Sequence, residues 1–147
     1  MGMYTEIIFG CSLKKDTPLN VINVMQFMTD PSDFKDESKI TGGLPDHKFF
    51  NTPRWKWMFH CSSYYFGVNE SSSKMWYDDI SKDYRISVRS NLKNYDDEIE
   101  LFLEWIHPYV NHGTGYNNLY AIVTYEESEV PTLYYKPYAE DKEDEVV

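Results

Sequence analysis

Residues 84–110, YRISVRSNLKNYDDEIELFLEWIHPYV, change their apolar period halfway along. In the first half Tyr84, Ile86 and Val88 alternate with Arg85, Ser87 and Arg89, the two-residue period of a strand with one face to a core and the other bearing two guanidinium groups. In the second half Ile99, Phe102, Leu103 and Ile106 recur at helical spacing. Asp97 stands at the cap position with Glu100 three residues on, and Pro108 ends or kinks the last turn. The stretch reads as a strand feeding an amphipathic helix, the building unit of a sheet covered by helices.

Working outward, KMWYDD (74–79) and SSYYFGV (62–68) read as two preceding strands, joined to each other by the NESSS loop and to the third by a tight turn at ISKD. Before them Thr52-Pro53 suggests a capped turn opening a short helix over RWKWMFH, with Trp55 and Phe59 on one face and Trp57 on another. The aromatics of this run serve the core, with Trp57 and one of Tyr64 or Tyr65 turned away from it. Near the start, MYTEIIFGCSL alternates as a strand with Thr5, Ile7, Phe9 and Cys11 on one face and Glu6 on the other. Thr17 and Pro18 then open a helix carrying Val21, Ile22, Met25 and Met28. Residues 30–48 are polar and rich in Gly and Pro and read as a long loop. After NHGTGYNN, a turn region, NLYAIVTYEE and PTLYYK form a final strand pair around the polar EESE loop. The expected fold is therefore α+β: a mostly antiparallel sheet with two main helices and one short helix on one face.

The 147 residues suit one domain, assigned to 1–138, and the aromatic share of 17% is too high for a disordered chain. Residues 139–147 are read as an acidic, flexible tail. A formal charge of −10 argues against duplex DNA as the main ligand, because affinity for duplex comes largely from cations that neutralise phosphates. No apolar run reaches the roughly 20 residues that span a bilayer, and no signal core follows the start, so neither a membrane partner nor export is expected. Cys11 and Cys61 lack a CxxC context and read as reduced, buried thiols.

No reaction motif stands out. His47, His60, His107 and His112 lack metal-ligand spacing, and no metal or cofactor is expected. Asp78-Asp79, Asp96-Asp97-Glu98 and EESE at 126–129 admit a metal-dependent hydrolase or nuclease, although capping and loop roles account for most of these acids. The sharper candidate is a polar row, Arg85, Arg89, Asn91, Lys93 and Asn94, joined by Arg54, Lys56 and Trp57. If these converge, they suit carboxylates of a protein partner, or the phosphates of a small nucleotide stacked on Trp57.

The strings TPRWKWMFHCSSYYF, RSNLKNYDDEIELFLEWIHPYV and YEESEVPTLYY, with the start YTEIIFGCSLKKDTP, resemble a family of small uncharacterised proteins encoded by bacteriophages and prophages. Asp46-His47 departs from it, since related chains read His-Pro there. The resemblance carries no catalytic motif. It implies action in the cytoplasm of a bacterial host, and by context the inhibition of a host or anti-phage defence component. Sequestration of a small, possibly signalling, nucleotide is the alternative.

Overall fold

A computed structural model describes residues 4–30, 36–61, 72–112 and 117–137. The strand expected over SSYYFGV and the acidic tail lie outside these residues. Five strands form one antiparallel sheet: β1 (Thr5–Ser12), β2 (Lys74–Asp78), β3 (Asp83–Leu92), β4 (Asn117–Tyr125) and β5 (Thr132–Pro137), in the order β2-β3-β1-β4-β5. The helices α1 (Leu19–Thr29) and α2 (Glu98–Ile106) bury their apolar stripes with this sheet in a single core. The architecture is the α+β single domain that the alternating and helical periods require. Among the described residues no helix is long and apolar enough to cross a membrane.

β1, first in the chain, is central in the sheet. It pairs with β3 along its whole length, from Thr5 opposite Leu92 to Ser12 opposite Arg85, and with β4 on its other side. One face therefore gathers Ile7 and Phe9 with Val88, Ile86, Ala121 and Val123, all fully or nearly fully buried. α2 lays Ile99, Phe102, Leu103 and Ile106 on that face, and α1 contributes Val21, Val24, Met25 and Met28. At about 1.5–3 kcal/mol for each large apolar side chain taken from water, this interior dominates the stabilising terms.

Residues 36–61 fill the remaining space with single 3-10 turns at Glu37–Lys39, Lys48–Asn51 and Trp55–Trp57, so part of the expected long loop is structured. Phe102 is the hub of the aromatic cluster. Its ring centroid lies 5.1 Å from Phe9, 5.5 Å from Phe49 and 5.1 Å from Phe59, all in edge-to-face geometry. Trp55 and Phe59 are buried while Trp57 is 44% exposed, so the described part of the aromatic run is core with Trp57 as the exception; Tyr64 and Tyr65 lie outside the described residues.

Three helix starts and the burial of one strand residue differ from the sequence reading. Thr17 does not cap α1; its hydroxyl donates backward to the Lys14 carbonyl, and the helix begins at Leu19 behind Pro18. Thr52 likewise donates to Phe49, and the short helix after it is one 3-10 turn. Asp97 adopts a left-handed backbone (φ 57°) and makes no side-chain cap. The chain turns so sharply there that Asn94 takes over, its Oδ1 accepting from the Ile99 amide at 2.9 Å, while Glu98 accepts from the Asp96 amide at 3.1 Å. Glu6 falls on the sheet face away from the helices, as alternation places it, yet it is buried, opposite the equally buried Asn91.

Candidate functional site

The eight residues singled out by the sequence do not form one site, and Asn94 serves the start of α2. Trp57 and its neighbours Arg54 and Lys56 belong to the segment that packs Trp55 among the helices, whereas Arg85, Arg89 and Asn91 belong to the opposite face of the sheet. Arg54 bridges Asp96 and the fully buried Glu98, at 2.9 and 3.2 Å, and lies over the Tyr95 ring at 5.3 Å. Lys56 pairs with Glu37 at 2.6 Å and sits 5.8 Å from the Trp57 ring centroid. Lys93 places its Nζ 5.7 Å from the Tyr4 ring. Asn91 is buried, and Arg89 stands half-buried opposite Ile8. The ring and the guanidinium pair that a nucleotide would need from Trp57, Arg85 and Arg89 are thus held apart.

Arg85 instead belongs to the β2–β3 hairpin, whose tight turn the sequence places at ISKD without marking it as a site. Asp78 ends β2 and turns its Oδ1 onto the amides of Ile80 (2.9 Å) and Ser81 (3.2 Å), while the Lys82 amide reaches back to the Asp78 carbonyl at 2.8 Å. Lys82 takes the left-handed conformation (φ 59°) that brings the chain into β3. Arg85 locks the turn from below. Its Nε lies 3.2 Å from Asp83 and 3.5 Å from Asp78, and its Nη2 donates to Ser81 Oγ at 2.8 Å. The two turn amides hold the Asp78 carboxyl below the usual aspartate range, with Arg85 adding to the effect.

On this braced hairpin three large apolar groups face outward. Ile80 at the tip is 93% exposed, Tyr77 45% and Trp76 39%. Trp76 lies across from Arg85 on the outer sheet face, with Lys74 Nζ 5.1 Å from its ring centroid, and Tyr77 packs edge-on against Tyr84 at 5.0 Å. Adjacent aromatics on a five-residue strand must point to opposite faces, and that was the available signal in the sequence. That both rings remain exposed depends on β2 lying beside β3 alone among the described strands.

Several of the other chemical candidates are accounted for by local structure. Asp78 is committed to the turn. Burial pushes the thiols of Cys11 and Cys61 up, keeping both protonated and poor nucleophiles at neutral pH. His47 accepts from the Phe49 amide and lies 3.4 Å from Glu104, and His107 meets the Tyr120 hydroxyl at 2.7 Å. Comparison of the chain with protein-family models, curated proteins and solved structures finds no match.

Proposed function

We propose that this chain is a non-catalytic binding protein that docks on a protein partner through its β2–β3 hairpin. In the phage setting that the resemblance implies, the partner is a host or anti-phage defence component, which binding disables. The observation that carries the reading is the hairpin itself, where Trp76, Tyr77 and Ile80 project from a turn braced by Asp78 and Arg85. Trp, Tyr and Arg are the side chains that dominate binding energy at protein interfaces. A turn already held in one conformation loses little further entropy on docking, which raises affinity without added contact area. The net charge of −10 supports a partner with a basic surface, since complementary fields speed encounter.

The test is affinity capture from bacterial lysate at low and moderate salt, run in parallel with wild type, Trp76→Ala and Ile80→Asp. The reading predicts a stoichiometric protein partner that both hairpin variants lose while their unfolding midpoints stay unchanged. A partner retained equally by both variants, or none at either salt concentration, counts against it.

A further inference from the structure

The two ring nitrogens of His47 face opposite demands. The residue precedes the 3-10 turn Lys48–Asn51, and its Nδ1 accepts from the Phe49 amide at 3.1 Å, the side-chain cap of that turn. Its Nε2 lies 3.4 Å from Glu104 Oε2 on α2. An imidazole nitrogen that accepts a hydrogen bond carries no proton, so the cap requires the neutral ring with its hydrogen on Nε2, toward Glu104. Protonation adds a hydrogen at Nδ1, where it confronts the Phe49 N–H, and the cap bond is lost. The same proton converts the long neutral contact with Glu104 into a charge-assisted one.

The ring is placed where it can change state. Its side chain is 22% exposed and that of Glu104 57% exposed, so water reaches both. Glu104 is the charged group that faces the ring from α2, the helix packed on this turn, and Asp46 and Lys48 flank it along the chain. The capped turn carries two core rings. Phe49 stacks on Trp105 at 5.9 Å and meets Phe102 edge-on, while Phe50 packs edge-on against Trp105 at 4.8 Å and Trp55 at 5.1 Å. The far end of the turn is closed separately, because the amide and the hydroxyl of Thr52 both donate to the Phe49 carbonyl. Loss of the cap therefore frees the entry of the turn and leaves its exit closed.

We propose that His47 is a proton-operated latch between this turn and α2. Neutral, the ring caps the turn; protonated, it releases the Phe49 amide and holds Glu104 as an ion pair. Phe49 and Phe50 anchor the turn in both states, so the switch opens the backbone where the turn begins and leaves the core packed.

NMR of the full chain tests this, with ring nitrogens and amides followed from about pH 8 to about pH 5, the interval over which imidazoles charge. In the most alkaline sample His47 should show the tautomer with its hydrogen on Nε2. As the ring protonates, the Phe49 amide should shift along the same titration curve, and so should the Glu104 carboxyl carbon. The protection of that amide against hydrogen exchange, corrected for the intrinsic dependence on pH, should fall roughly fivefold, the equilibrium factor of a typical lost cap. His47→Asn keeps an acceptor at the cap and has nothing to titrate, so its Phe49 amide should hold steady over the whole interval. The opposite tautomer in the alkaline sample, a Phe49 amide that ignores protonation of His47, or a Phe49 amide that still titrates in His47→Asn overturns the inference; the first two readings need only the wild-type chain.

Discussion

Arg54 donates from one nitrogen, Nη1, to two carboxylates, and the structure indicates which contact stabilises the fold. The bond to Asp96 is shorter, 2.9 against 3.2 Å for Glu98, but the Asp96 side chain is 52% exposed and that of Glu98 is fully buried. In water the charge of Asp96 is well solvated without Arg54, and exposed pairs contribute about 0.2–1 kcal/mol. Glu98 has no such recourse. Removing one partner of a buried pair costs about 3–5 kcal/mol, and because the Arg54 side chain is itself 34% exposed, water entering the vacated space should reduce this to about 2–4 kcal/mol. Urea unfolding followed by tryptophan fluorescence should give that loss for Arg54→Ala. Double-mutant cycles should find a coupling of about 1.5–3 kcal/mol with Glu98→Gln. The cycle with Asp96→Asn should stay at about 0.2–1 kcal/mol. An Asp96 coupling equal to or larger than that of Glu98, or a loss of under about 0.5 kcal/mol for Arg54→Ala, would refute the argument from burial.

Phe102→Ala should destabilise by about 3–5 kcal/mol in the same assay, because its ring fills the space between the sheet and α2. A cycle with Phe9→Leu should recover about 0.5–1.5 kcal/mol as the edge-to-face term. Lys136, 3% exposed on β5, donates to the His107 carbonyl at 2.9 Å just past α2; Lys136→Met keeps the stem, loses the bond, and should lower stability by about 1–3 kcal/mol on denaturation. The Asp78 carboxyl has its folded pKa depressed by the Ser81 and Ile80 amides, so its support of the turn is complete above the unfolded aspartate pKa and fades as pH falls below about 4 through the folded value. Amide shifts of Ile80 and Ser81 across that range should follow one titration that Asp78→Asn abolishes, and shifts that do not move with pH would sink the brace.

Period and composition carried the fold class. The two-residue alternation of 84–92 and the helical stripe of 99–106 are local, each set by a few adjacent side chains that must share a face, and both survive into β3 and α2. The same reasoning set Trp57 apart from Trp55 and Phe59, and the burial agrees although the segment winds as one 3-10 turn rather than the expected helix. The expected convergence of Arg54, Lys56 and Trp57 with Arg85 and Arg89 had no such local basis. Whether a cation meets a ligand or a carboxylate depends on partners far away in the chain, and Arg54 finds Asp96 and Glu98 42 and 44 residues on.

Burial of charge was equally hidden in the residues. Glu6 and Glu98 have the pattern of solvent-facing acids, yet both are buried, since β1 takes the centre of the sheet and Glu98 lies beneath Arg54. Sequence alone located the segments of β1 to β5, α1 and α2, because those preferences arise between neighbours along the chain. Only the tertiary structure decided strand order, which acids leave water, and which side chains meet, because those follow from packing between segments whose separation in sequence bears no relation to their distance in space.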